Sequence, residues 1–310
     1  MKAIAFFNVE NLFDTDNDPY TNDDDFLPTS EKRWTDKRYH NKLFKLGLAI
    51  SSIGKEETLS HPAIIGLAEV ENDTVLQDLL ASEHLKELPY DFVHFNSADE
   101  RGIDVALIYD TTVFTLTNAE PFSVNLYNED GTADYTRDIL LVSGLFDDEP
   151  IHFIVNHWPS KHDPENKPKR LIVSQKVTEI IQLLKADKPN AKIITMGDFN
   201  DASDSVSVQD LVNSNHLFNP METLKSLDRG SVNYKDGWDL FDQFMITHNF
   251  LDRKVGTYNY VKGDIFDADF LKQYKGFYAG QPFRTYAGKK YKGGYSDHFP
   301  VYLILRKVAG

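Results

Sequence analysis

Cysteine is absent from the chain, which excludes both disulfides and thiolate-bound metals. Long apolar runs are absent too: nothing approaches the roughly 18 consecutive apolar residues of a membrane helix, so no membrane insertion is expected. Positive charge is scarce, with 33 Lys and Arg against 48 Asp and Glu and a formal net charge of −15. That balance opposes loose adhesion to a polyanion over the whole surface, so a nucleic-acid substrate would need a locally basic approach or help from a metal. The opening MKAIAFFNVENLF lacks a small-residue cleavage site and reads as a first β-strand rather than a signal peptide. The expectation is a cytoplasmic protein, or a secreted or periplasmic one if a signal peptide had been removed.

What is present is ordinary for a soluble globular chain: 310 residues, 41% hydrophobic and 13% aromatic, with no internal repeat and no long linker. One domain over residues 1–310 is expected, near the upper size for a single core. Short β-like runs recur at Lys2–Val9, Ala63–Ala68, Ile103–Tyr109, Ile139–Leu145, Ile151–Val155, Lys192–Met196, Phe241–Thr247 and Val301–Leu305. Many are apolar at consecutive positions, as strands covered on both faces are. Between them, Leu43, Leu46, Ile50 and Ile53 keep a helical period with Gly54 placed as a stop. Val173, Val177, Ile180, Ile181 and Leu184 keep another. Strands and helices alternating in this way predict an α/β fold with layered sheets between helices.

Polar residues stand where the apolar runs end. Asn8 and Glu10 end the first, Glu69 follows AIIGLA, His157 follows IHFIV and Asp198 follows KIITM. At such ends side chains leave the core while their backbone stays held, and ligand sites gather there. In TMGDFND, Asp198 and Asn200 are two apart, so on an extended end they project to one side. A carboxylate there can take a proton from water or bind a hard cation, and an amide can donate to a phosphoryl oxygen without adding negative charge. GLAEVEN offers Glu69 and Glu71 as oxygen ligands of the kind Mg²⁺ uses, although Glu71 also suits the start of a helix at Asp73. NHWPSK places His157 near Lys161, and YSDHFPV places Asp297 and His298 just before a strand. Each segment alone also reads as a polar turn or a strand exit.

In this order, however, FNVENL, AEV, NHWPSK, GDFN, FDQFMI and SDH resemble the motifs of the endonuclease/exonuclease/phosphatase superfamily, also called DNase I-like, across residues 8–301. The resemblance implies a four-layer α/β sandwich, two packed mixed β-sheets flanked by helices. It implies a phosphoesterase using Mg²⁺, with Mn²⁺ as the alternative ion. Glu69 would be the principal metal ligand, with Glu10 and Asp297 completing the metal set. Asp198 would orient or deprotonate the attacking water. Asn8, Asn200, His157 and His298 would contact the phosphoryl oxygens, Asp242 would orient His298, and Asp104 of RGIDVALIY would orient His157. The expected substrate is a phosphate ester, first of all a phosphodiester in DNA or RNA. The alternative is a small phosphorylated compound or lipid headgroup, and no protein partner is implied.

Two further segments bear on substrate. Phe270 to Tyr295 carries Lys272, Lys275, Arg284, Lys289, Lys290 and Lys292 among many aromatics and no acidic residue, which makes it a candidate funnel for an anion or an ordinary solvated loop. Asp14 to Asp25 echoes a calcium loop, but Pro19 stands where glycine is needed, so a solvated loop is expected with structural Ca²⁺ as the lesser option.

Overall fold

A computed structural model describes residues 1–128, 130–161, 163–234 and 237–310. Its principal strands are β1 (Lys2–Leu12), β2 (Ile64–Val70), β3 (Tyr90–His94), β4 (Asp104–Asp110), β5 (Phe114–Phe122), β6 (Ile139–Phe146), β7 (Glu149–His157), β8 (Lys192–Asp198), β9 (Leu217–Phe218), β10 (Asp242–Thr247), β11 (Tyr258–Ile265) and β12 (Val301–Lys307). The principal helices are α1 (Asp36–Ser52), α2 (Asp73–Leu80), α3 (Asn166–Asp187) and α4 (Val206–Asn215). Strands assemble into two six-stranded sheets, ordered β11-β12-β1-β2-β4-β3 and β9-β10-β8-β7-β6-β5. Each sheet is mixed and holds one parallel pair, β1 with β2 and β7 with β8.

Side-chain alternation shows how the layers stack. Along β7, Phe153 and Val155 join the core between the sheets, while Ile154 joins a second core beneath α3 and α4. β8 repeats this with Ile194 and Met196 against Ile193, and β10 with Phe244 and Ile246 against Met245. Both faces of these strands are covered, which is why their apolar residues run consecutively. The helical period around Val177 buries Val173, Val177, Ile180 and Ile181 of α3 on the outer face of the second sheet. α1 ends as expected, with Gly54 in the left-handed region at φ 65°. Where the sheets meet, Gly66 of β2 lies against Met196 of β8, and an added Cβ would stand 3.0 Å from its sulfur.

All eight strands expected from the sequence are present. Four more, β3, β5, β9 and β11, lie at the outer edges of the two sheets. Edge strands show weak apolar patterning: most of β5 is exposed. In the Asp14–Asp25 loop three carboxylates accept from the loop's own backbone, Asp14 from Asp16, Asp18 from Tyr20 and Asp23 from Asp18, while Asp25 pairs with Lys32.

Candidate active site

The residues singled out at strand ends come together along one edge of both sheets. In the second sheet Asp198 pairs in register with His157 on one side and Asp242 on the other. In the first, the order β12-β1-β2-β4 sets Asp297 and His298, then Asn8 and Glu10, then Glu69, then Asp104 in a parallel row. The two rows meet through Asn8, whose amide donates to Asp198 Oδ2 (3.0 Å) and reaches Glu69 Oε1 (3.5 Å).

Local backbone strain aims these side chains. Glu10, Asn11, Glu69 and Asn200 have positive φ (52°, 56°, 67° and 46°), four of the nine non-glycine residues so placed among the described residues. Register shifts fall at the same places, between Asn8 and Leu12 of β1 and between Ala68 and Val70 of β2. Such irregularities re-aim side chains at strand ends and cost on the order of 1–3 kcal/mol each. Part of that cost is offset locally, as Glu69 Oε2 accepts from the Asn11 N–H (2.8 Å) and Asp198 Oδ1 from the Asn200 N–H (2.9 Å). The glycine of GDFN is required by crowding: a Cβ on Gly197 would stand 2.3 Å from the Asn156 carbonyl oxygen of β7.

His298 is the most firmly held group. Its Nδ1 lies 2.7 Å from Asp242 Oδ2, its N–H donates to Ser296 Oγ (3.0 Å), and Ser296 in turn donates to the Asn8 carbonyl (2.7 Å). Ser231 Oγ accepts from the N–H groups of Phe241 and Asp242, and the Ser231 carbonyl accepts from Phe299, so one buried serine positions both partners. Asp242, expected to orient His298, stands within hydrogen-bond reach of its ring. Burial alone would lower the His298 pKa, but Asp242, Asp198 and Asp297 hold it well above the usual imidazole range. His157 goes the other way: burial, then the charges of Arg137, Arg101 and His298, push it well below that range. Burial raises Asp198 to about 7 despite the opposing charge of His298.

Other placements depart from expectation. Asp104 makes no hydrogen bond to His157: its Oδ2 accepts from the Ser97 N–H (3.2 Å) and lies 3.7 Å from His94 Nε2. Its Oδ1 and His157 Nδ1 are both buried without a partner. Asn200 Nδ2 donates to the Trp158 carbonyl (3.0 Å), which leaves one amide proton to offer. Nor does the expected metal set of Glu69, Glu10 and Asp297 close on one point. Glu10 Oε2 accepts from the Thr285 N–H (2.6 Å), and Arg284 spans the two acids, 2.8 Å from Asp297 and 3.7 Å from Glu10. Burial and the charge of Asp297 raise Glu10 to about 7.

Among the described residues, the acidic and imidazole groups whose ligand atoms lie within 4.8 Å of one another are Asp198, Asp242 and His298. That triad is partly saturated by its own contacts, but Asp242 Oδ1 remains buried without a partner. With Glu69 and Asn8 beside it, the donor set is oxygen-rich and fits a hard divalent cation.

Sequence reasoning missed several neighbours. Lys42 is buried, donates to Thr285 Oγ1 (2.5 Å) and the Tyr295 carbonyl (2.6 Å), and is lowered to about 8 by burial against the pull of Glu10 and Asp297. Arg101 bonds Asn11 Oδ1, and Arg137 lies 3.5 Å from Asp99. Lys42 and Arg137 lie in none of the quoted motifs, and Arg101 opens RGIDVALIY, where only Asp104 carried an expected role. Ser296 stood inside a motif already noticed. Asp201, next to Asn200, is tied to Arg170 Nε (3.1 Å) and Ser207 Oγ (2.9 Å), a structural role.

A fold of two mixed sheets with acid, amide and histidine groups along one edge defines a phosphoesterase of the DNase I-like kind. The model of the Endonuclease/Exonuclease/phosphatase family matches residues 3–307, and the chain belongs to that family. Among curated proteins, none matches the chain by sequence. Solved structures share the fold at low identity. A mannosyl-6-phosphatase from Bacteroides thetaiotaomicron superposes with a TM-score of 0.61 at 16% identity, covering 99% of this chain and 100% of that one. TDP2 from D. rerio, complexed with a single-strand DNA product, superposes at 0.58 with 13% identity, covering 99% of each chain. A functionally unknown conserved protein from Enterococcus faecalis superposes at 0.56 with 14% identity, over 98% and 99%.

Proposed function

We propose that this phosphoesterase hydrolyses phosphodiester bonds in nucleic acid. The observation that carries the reading is the placement of guanidinium groups at both ends of the catalytic row. At one end Arg101 bonds Asn11 Oδ1, whose own N–H donates to Glu69, and its charge with that of Arg137 bears on His157; at the other Arg284 pairs with Asp297. A diester has an esterified group on each side of the scissile phosphorus, and a strand lying along the row would meet a cation on either side. In a chain of net charge −15 this local arrangement supplies the basic approach that the overall balance lacks. The DNA-bound TDP2 structure is consistent with such a substrate on this fold.

Asp198, buried and poised near neutrality, takes the proton of the attacking water. His298, kept charged by Asp242, donates to the phosphoryl group, and Asn8 and the free amide proton of Asn200 add neutral donors. His157 stays neutral and offers a hydrogen bond without a second positive charge. Glu69, with neighbouring oxygens, would hold Mg²⁺ or Mn²⁺, and such an ion would polarise the phosphoryl oxygens and stabilise the leaving oxygen.

The test compares bis-p-nitrophenyl phosphate, p-nitrophenyl phosphate and single-stranded DNA in Mg²⁺, Mn²⁺ or EDTA, beside Asp198→Ala. Metal-dependent cleavage of the diester and of DNA is expected, reduced about 10²–10⁴-fold in the variant. Cleavage of the monoester alone would overturn the diester reading.

A further inference from the structure

Beside Asp297, away from the Glu69 and Asp198 floor, the structure holds a cavity of about 350 Å³. Its volume lies within the range of small-ligand pockets, on the order of 300–1,000 Å³. The wall that decides its chemistry is a hairpin tip. Phe277 is 78% exposed and Tyr278 is 52% exposed, their ring centroids 5.2 Å apart and their planes near perpendicular at 89°. Backbone bonds hold this tip in place: Gln273 N–H donates to the Gln281 carbonyl (2.8 Å), Gly280 N–H to the Gln273 carbonyl (2.9 Å) and Phe283 N–H to the Leu271 carbonyl (2.7 Å). Gly276 and Gly280 take φ near 87° and 88°, the turn geometry glycine allows. Two aromatic faces are therefore presented to water on a fixed support, at a cost in hydration that the fold itself does not recover.

Charge narrows the occupant. Arg284 and Lys292 also line the cavity, and Asp297 is its one acidic member among the described residues. Lys292 has no ion-pair partner among the described residues. A ligand with a flat π-face next to an anionic group matches aromatic faces set beside ammonium and guanidinium groups.

We propose that this cavity is a subsite for a nucleobase next to the scissile phosphate, stacked on the face of Phe277 with the Tyr278 ring set at right angles beside it, and with Lys292 and Arg284 on the adjoining phosphate. The assignment rests on the nuclease reading above and adds the requirement that the substrate be single-stranded there, because a paired base keeps both its faces in the duplex stack. Stacking of this kind tolerates any base, so weak sequence preference follows.

The experiment measures binding in EDTA, by fluorescence anisotropy, of labelled oligothymidine and of an equally long abasic oligomer. In the Phe277→Ala/Tyr278→Ala chain, oligothymidine affinity should fall about tenfold, while abasic affinity, with the same phosphates, should stay within about twofold. Phe277→Trp, which keeps a stacking face, should retain oligothymidine affinity. Equal loss for both oligomers, or no loss for either, would overturn the subsite. So would wild-type protein binding both oligomers equally while its diesterase activity stands. Wild-type protein that binds neither oligomer and cleaves only monoesters would instead remove the nuclease reading, and the subsite with it.

Discussion

His157 and His298 sit on either flank of Asp198, at 3.8 and 3.9 Å from the same carboxylate oxygen, yet their surroundings drive them to opposite charge states. The His298 end is built from carboxylates: Asp242 in direct contact, Asp198 across the row and Asp297 next in sequence. At the His157 end Nε2 faces Asp198 (3.8 Å) and Glu69 (3.9 Å), but no acid meets the second ring nitrogen, and burial and the charges of Arg137, Arg101 and His298 oppose protonation. Burial pushes both rings toward neutrality, and only the His298 end has enough nearby negative charge to reverse it. One site therefore holds a cationic and a neutral imidazole at the same pH, two different tools made from one residue type.

The largest effect should come from breaking the acid end. Asp242→Asn keeps a hydrogen-bonding side chain but removes the charge that holds His298 protonated. The rate should fall about 10²-fold, and the alkaline limb of the pH–rate profile should move to lower pH. An unchanged limb would mean that His298 owes its charge to other groups. A smaller effect is expected at the basic end. Arg137→Ala should raise KM for single-stranded DNA about tenfold and make the salt dependence of binding shallower by about one phosphate contact. Titration of binding at several salt concentrations checks this, and an unaltered slope would sever Arg137 from the substrate path.

The smallest effect is on stability, measured as Tm against pH in EDTA. His157 is depressed in the folded state, so the unfolded chain takes up a proton that the native one refuses. Stability is lost as pH falls below about 6.5, the ordinary imidazole value, toward the lower folded one. His298 is raised, so its contribution is full below about 6.5 and is lost as pH rises through the folded value. His157→Gln should therefore flatten the acid side of the profile and His298→Gln the alkaline side, each by a few °C. Identical profiles for the two variants would erase the contrast.

Legibility followed burial. The eight strands readable as apolar runs are the interior strands of the two sheets, where both faces are covered and nearly every residue must be apolar. The four edge strands were not readable, because β5, for example, keeps little more than Phe114 fully buried. At the site, Asp198, His298, Asn8 and Glu69 were legible because each follows or precedes such a run. Lys42 was not: it lies in α1 next to the apolar stripe through Leu43, and nothing in its neighbours announces a buried ammonium more than 240 residues from its partners Thr285 and Tyr295. Arg137 was hidden for the same reason, and Arg101, three residues before Asp104, fell in no pattern that marks a site cation.

By itself, the sequence determined the α/β fold, the family and the strand-end acids, amide and histidines, because interior strands and phosphate chemistry both restrict which residue types can stand where. Only the tertiary structure decided that Arg284 spans Glu10 and Asp297, that Asp104 stops short of His157, and that two histidines differ in charge. Those outcomes depend on distances of a few ångströms between residues remote in the chain, and electrostatic energies at such range are set by packing and desolvation rather than by order along the backbone.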